Sequence, residues 1–416
     1  MRRVVAPLAV LAAAAALGGC LHAPAPPDAL SREELPTRRP PSDGERIEAL
    51  LERRARALRD GNPRAYAATA AGAQRRRDRV AARRARGLGL RRVALVLTGS
   101  QLDGARATVQ IRLRYAVRGV SGMYGSRRTL RLRRTQRGWR VVRDGARRQR
   151  PPWEVGEFDR TTTRHFVVWA PEGAPLGPRG LIWALEEGYA RMRGLLANGR
   201  LRRRYLVVVA ADPAQALRLT ARIRGLESLT ALTDTEIRVQ GPAQRVASVE
   251  SQRLLVVWSS FAELGMDDQR TVVAHELTHA VLAPATSGRT PGWVTEGVAL
   301  YVSGDDRTPE AASRLAGGDA GAALRLAALS RPDAVGRLEG DEQAAAYAYS
   351  SAAAHYIVDR HGRDRLLRLY DAYNRVRLEG DAGDARLTDA ALRAVLGVGL
   401  ERFERDLRAW IAQRAP

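Results

Sequence analysis

The stretch Thr271-Val272-Val273-Ala274-His275-Glu276-Leu277-Thr278-His279-Ala280-Val281 decides the reading of this chain. On a helix, residues four apart share a face, so His275 and His279 can grip one ion together. Neutral imidazole is a good zinc ligand. Glu276 is offset from the two histidines and can face an open coordination position, where a carboxylate takes a proton from an activated water. The residues around the three carry no charge, as a buried site requires.

A second stretch works with the first. Pro291-Gly292-Trp293-Val294-Thr295-Glu296-Gly297-Val298-Ala299-Leu300-Tyr301 opens with proline where a helix should start. Glu296 follows His279 by 17 residues, across a loop containing Pro284, Ser287 and Gly288. That loop is long enough to turn a second helix back onto the first. Glu296 would then be a third protein ligand, leaving the fourth position for water. A carboxylate in an otherwise apolar helix invites such a partner, because an unpaired buried charge is costly.

His275-Glu276-Leu277-Thr278-His279 with Trp293-Val294-Thr295-Glu296-Gly297 resembles the gluzincin, or peptidase MA, metallopeptidases. In that group His-Glu-x-x-His is followed on a second helix by a ligand glutamate, often within Trp-x-x-Glu-Gly. The resemblance implies Zn2+ held by His275, His279 and Glu296, with Glu276 as general base. It also implies hydrolysis of a polypeptide substrate. Ala346-Tyr347-Ala348-Tyr349-Ser350, followed by His355-Tyr356-Ile357, is similar to a later helix of the group. By its spacing to Ser350 and Tyr356, Tyr347 is the implied catalytic donor to the developing oxyanion. Tyr349 points to a different helix face, and His355 is a further candidate. The resemblance covers roughly residues 160–416. Two features are not found: an aminopeptidase signature such as Gly-x-Met-x-Asn, and a thermolysin-like cluster of acidic calcium ligands.

Outward from these motifs the pattern is α+β, with strands early and helices late, as a zincin-like domain over residues 158–416 requires. His165 to Ala170, Tyr205 to Ala210 and Arg253 to Ser259 read as strands, with helices near Leu181–Ala197 and Pro213–Arg224. Arg253–Ser259 precedes the motif helix, where zincins carry an edge strand, so an extended peptide is expected to pair with it. His165 is expected to be structural, and His361, before Gly362, to cap a helix end.

Residues 43–157 read as a smaller α+β domain. Gly44 to Ala71 is mostly helical, with a break at Gly61-Asn62-Pro63 and Ile47, Leu50, Leu51 and Leu58 at helical spacing. Val93–Leu97, Ala107–Val117, Thr129–Arg134 and Gly138–Val142 follow as strands. A helix followed by antiparallel strands resembles the NTF2-like cone fold, and the resemblance carries no site residues. The runs Arg75-Arg76-Arg77 and Arg147-Arg148 are expected on solvated faces.

The chain starts Met1-Arg2-Arg3, runs apolar from Val4 to Leu17 and reaches Leu17-Gly18-Gly19-Cys20. That layout is a secretory signal, too short for a comfortable membrane span. Its end resembles a bacterial lipobox, which implies a signal peptide over 1–19 and a lipid on Cys20. The proline-rich segment 20–42 reads as a tether reaching about 3.1 Å per residue from the membrane. The expected location is the extracytoplasmic face of the cell membrane.

The 416 residues and 45% apolar content allow two ordinary domains with a sizeable core. Cys20 is the single cysteine, so no intramolecular disulfide forms. All 69 basic residues are arginine, and the net charge is +24. Such a charge follows from an arginine-favouring genome and also attracts anionic partners, headgroups or an acidic cell wall. No nucleic-acid recognition motif accompanies it. The same features also allow an alternative, a non-catalytic lipoprotein that binds the cell envelope on a peptidase-like fold. Metal content and dependence on Glu276 separate the two readings.

Overall fold

The computed structural model describes residues 40–145, 149–174, 180–196, 201–220, 229–241, 245–317, 324–375 and 383–414. Cys20 with its lipobox, the tether up to residue 39, and Arg147-Arg148 lie outside them.

The first helix, α1 (Asp43–Arg59), buries Ile47, Leu50, Leu51 and Leu58 on one stripe. It ends at Gly61, whose φ of +62° favours glycine. Asn62 then caps α2 (Pro63–Ala68), its side chain accepting a hydrogen bond from Ala65 N at 3.0 Å. A third helix, α3 (Gly72–Ala85), has no apolar stripe to announce it. Its buried positions Gln74, Asp78, Ala82 and Ala85 repeat at helical spacing, but half of them are polar. Arg75, Arg76 and Arg77 are exposed on it, as expected.

Four strands follow as an antiparallel meander: β1 (Leu90–Asp103), β2 (Arg106–Val117), β3 (Tyr124–Thr135) and β4 (Gly138–Asp144). Burial alternates along β2 and β3, so one face is core and the other solvent. The short helix α4 (Pro152–Val155) leads into a second sheet.

That sheet holds β5 (Phe158–Thr162), β6 (Phe166–Pro171), β7 (Tyr205–Ala210), β8 (Ala231–Gln240) and β9 (Arg245–Val257), in the order β5-β6-β7-β9-β8. β6, β7 and β9 are mutually parallel and the two outer strands antiparallel. β6 and β7 are apolar throughout because both faces are covered. Here one expectation is corrected. The run Arg253–Ser259 is not an edge strand: it forms the buried end of β9, between β7 and β8, and Trp258 already begins the turn α7 (Trp258–Phe261). The edge beside the motif helix is β8, whose polar run Asp234-Thr235-Glu236 hides it from a search for apolar segments.

Helix α5 (Leu181–Leu195) lies between β6 and β7 in the chain, and α6 (Pro213–Leu219) between β7 and β8. After α7 every described element is helical: α8 (Met266–Leu282), α9 (Gly292–Ser303), α10 (Thr308–Ala316), α11 (Ala334–Arg337), α12 (Gly340–His361), α13 (Arg363–Ala372), α14 (Asp384–Leu396) and α15 (Leu400–Ala412), with single 3-10 turns between some. The architecture is therefore α+β with two sheets.

Alternate residues of the second sheet enter different cores. Val168, Val207 and Val256 pack with the helices, among them Leu277 of α8 and Val298 of α9. Trp169, Val208 and Leu255 pack with Leu113, Tyr115 and Trp153 of the first sheet and its connector. Each such large side chain, fully buried, contributes about 1.5–3 kcal/mol. The shared layer joins Asp43–Pro416 into one compact unit.

Candidate metal centre

The motif helix α8 is placed by two close contacts. On one side α5 offers Gly188, where a Cβ would lie 2.6 Å from Val273 Cγ1 and 3.0 Å from Ala274 N. On the other α9 lies against it, and α9 is in turn pressed onto α12 at Gly297. A Cβ on Gly297 would lie 2.5 Å from Ser350 O, so only glycine admits this approach. Val273, Ala274, Leu277 and Val281 of α8 turn to the core. His275, Glu276 and His279 are left half-buried on the opposite side.

The loop between α8 and α9 is held by its own hydroxyls. Thr290 Oγ1 accepts from Ser287 N at 2.9 Å, and Ser287 bridges back to Arg245 of β9. Pro291 starts α9, which buries Trp293, Val294 and Val298 and turns Glu296 toward α8. Glu296 Oε2 lies 3.2 Å from His275 Nε2 and 3.5 Å from His279 Nε2, and the two imidazole nitrogens are 3.0 Å apart. The structure thus brings together all three residues expected as ligands.

The donor set is compatible with a metal ion. All three ligand atoms lie within 4.8 Å of one another. Ligands at 2.0–2.1 Å from a tetrahedral zinc sit about 3.3 Å from each other, close to the observed spacings. Glu296 Oε2 is buried, and both imidazole Nε2 atoms face it. Burial alone would push its carboxyl up, but the imidazoles of His279 and His275 hold it well below the usual carboxylate range. Two nitrogens and one oxygen with an open side is the donor set of a catalytic zinc site.

That open side is a cleft of about 1430 Å³ lined by His275, Glu276, His279, Glu296, Tyr347 and the start of β8. Among the described residues nothing forms a hydrogen bond or ion pair with the Glu276 carboxylate. Its backbone carbonyl accepts from Thr233 Oγ1 at 2.6 Å, which ties the edge strand β8 to the motif helix.

The late helix sorts its candidates by face. Tyr347 lines the cleft, with the Arg307 guanidinium 5.7 Å above its ring. Tyr349 turns into the core, its hydroxyl 3.4 Å from Glu404 Oε1. Ser350 is buried and donates to Ala346 O, and Tyr356 packs on Phe403 and Trp410. His355 lines a different pocket, beside Asp306 and Trp410, with its Nδ1 2.9 Å from Ser351 O. It is not part of the metal cleft. His165 is structural, its Nδ1 2.5 Å from Glu186 Oε2 and its ring stacked on Tyr189. His361 ends α12, with Gly362 at φ +81° after it.

Sequence reasoning missed Thr233 and Arg307. Arg307 sits in the cleft wall, paired with Asp305 at 2.8 Å. One arginine among 69 basic residues carries no signal, and Thr233 belongs to a strand without an apolar run.

No protein-family model matches the chain, and no curated protein matches it. Among solved structures, a protein of unknown function from Mycobacterium tuberculosis is similar at 19% identity over 24% of this chain and 71% of that one, with a TM-score of 0.21. At that score the similarity carries neither fold nor function to this chain.

Proposed function

We propose that the protein is a zinc-dependent peptidase of the gluzincin type, anchored on the extracytoplasmic face of the cell membrane by a lipid on Cys20. One observation carries the enzymatic part: His275, His279 and Glu296 converge on one point that opens, beside Glu276, onto a large cleft. The anchor rests on the lipobox-like sequence. Among the described residues no helix is long and apolar enough to cross a membrane.

A zinc ion at this point, when bound, supplies Lewis acidity for the scissile carbonyl and lowers the pKa of water. His275, His279 and Glu296 would hold it. Glu276, on the same helix, accepts the proton of the attacking water and passes it to the leaving amine. Tyr347, on the cleft wall, donates a hydrogen bond to the developing oxyanion. β8 is a free edge beside the motif helix, so an extended polypeptide adds to it as a further strand.

The test is one preparation of the mature protein, made without added metal. Near-stoichiometric zinc, cleavage of a diverse peptide library and a diacylglyceryl group on Cys20 by mass spectrometry are expected. Zinc-free protein that cleaves nothing after zinc is added leaves the envelope-binding lipoprotein instead.

A further inference from the structure

Across β2, β3 and β4 the solvent face of the first sheet is rich in arginine. Register places Arg112 opposite Arg127, Arg106 opposite Arg133, Arg131 opposite Arg143 and Arg133 opposite Arg140. Side chains directly opposite one another in an antiparallel pair are about 4.5–5.5 Å apart at Cβ, and like charges there destabilise the sheet. A solvent face does not require this, since threonine or glutamine serves equally well, as Thr108 and Gln110 do on the same strand.

Acids relieve the charge in part. Arg112 pairs with Glu236, and Arg114 with Glu250 at 3.0 Å, both acids coming from the β8–β9 hairpin. Arg127, opposite Arg112, and Arg131, Arg133 and Arg143, further along the sheet, are exposed and have no ion pair among the described residues. Nearby, burial and the guanidiniums of Arg53, Arg137 and Arg75 push the Arg140 pKa down. The net charge over Arg127, Arg131, Arg133 and Arg143 is therefore positive.

We infer that this face docks the protein on an anionic phospholipid surface, through bonds between its guanidiniums and the lipid phosphates. An array of cations on one face suits a surface of phosphates, each arginine near such a surface contributing about fivefold in affinity. Val96, 47% exposed, stands opposite Arg112 and adds an apolar contact among the charges. The sheet's aromatic residues Tyr115, Tyr124 and Trp139 are all buried on the other face, so none is available to stack a nucleic-acid base. The compact unit also begins beside this sheet: the Asp43 carboxylate is bound by Arg134 Nη1 at 3.2 Å and Trp139 Nε1 at 3.1 Å. None of the metal-centre residues lies on this sheet, so the inference stands apart from the peptidase reading.

The test uses the full mature chain carrying Cys20→Ser, so that no acyl chain contributes, sedimented with vesicles of phosphatidylcholine alone or mixed with phosphatidylglycerol. Binding to the anionic vesicles only, weakening with salt, is expected. The triple variant Arg127→Gln, Arg131→Gln, Arg133→Gln should weaken binding on the order of a hundredfold. The same change at exposed Arg75, Arg76 and Arg77 of α3 should weaken it less than about fivefold. The sheet variant should also melt at a higher temperature in low salt, because like-charge pairs are removed, which separates lost contact from lost fold. Equal weakening by the two triples would overturn the inference, as would equal binding to neutral vesicles. Tighter binding to duplex DNA than to anionic vesicles at the same salt would overturn it too.

Discussion

The two halves of the molecule bury their charged groups in opposite ways. Around the first sheet each buried charge meets an opposite one. Arg54, 1% exposed, binds Asp78, reaches Thr69 Oγ1 at 2.9 Å and lies 4.0 Å over the Tyr66 ring. Arg128 grips Glu154 through two bonds of 2.7 and 2.8 Å and also binds Asp144. Burial would raise the Glu154 carboxyl, but Arg128 holds it below its ordinary value. In the helical half two imidazoles and a carboxylate converge, and no guanidinium contacts Glu296 among the described residues. The first arrangement is closed and serves the fold. The second is open to the cleft, with a carboxylate and two imidazoles at metal-ligand spacing.

The sharpest way to break that contrast is at Glu276. If the open arrangement is catalytic, Glu276→Gln keeps zinc and melting temperature but loses at least about a hundredfold in peptide hydrolysis, the scale of a lost general base. Steady-state kinetics on the zinc-loaded variant measure it, and unchanged turnover would sink the mechanism. Next comes a direct comparison of the two regions in metal-stripped protein. Asp78→Ala leaves Arg54 buried without its acid and should destabilise by about 3–5 kcal/mol in urea unfolding. His279→Ala removes one of three crowded donors and should stay within about 1 kcal/mol of the parent, while abolishing zinc binding. Similar losses of stability for both would mean that the metal triad, too, is a structural network. The smallest effect is on α12. Tyr347→Phe should lower kcat by about 1.4–4 kcal/mol in barrier terms, with zinc content unchanged. Tyr349→Phe, facing Glu404 in the core, should leave kcat alone. The reverse pattern would assign the oxyanion donor wrongly.

The legible parts of the sequence share a property. α1, β6, β7, α8 and α9 announce themselves because each buries a continuous stripe or run, and burial writes a period into the residues. The metal-site pattern is equally local: His275 and His279 are one helical turn apart, so their common face follows from helix geometry. α3 and β8 were not legible. α3 buries Gln74 and Asp78 because Arg54 is there to meet Asp78, and β8 carries Asp234 opposite Arg253, its salt-bridge partner at 2.7 Å. Polar residues buried against a partner from another element break the apolar period, and the partner is invisible along the chain.

The sequence by itself determined which residues carry metal-ligating groups, and that α8 and α9 would each present them on one side. Backbone hydrogen bonding makes a helix periodic whatever surrounds it. Tertiary structure alone decided that Glu296 closes to 3.2 Å from His275, because that distance depends on Gly188 letting α5 approach α8 and Gly297 letting α9 approach α12. It alone decided that the cleft edge is β8 rather than β9, and that His355 faces another pocket while Tyr347 faces this one. It also decided that arginines distant in sequence stand opposite one another on the first sheet. Strand order, cross-strand register and helix approach are set by contacts between residues far apart in the chain, and no local period encodes them.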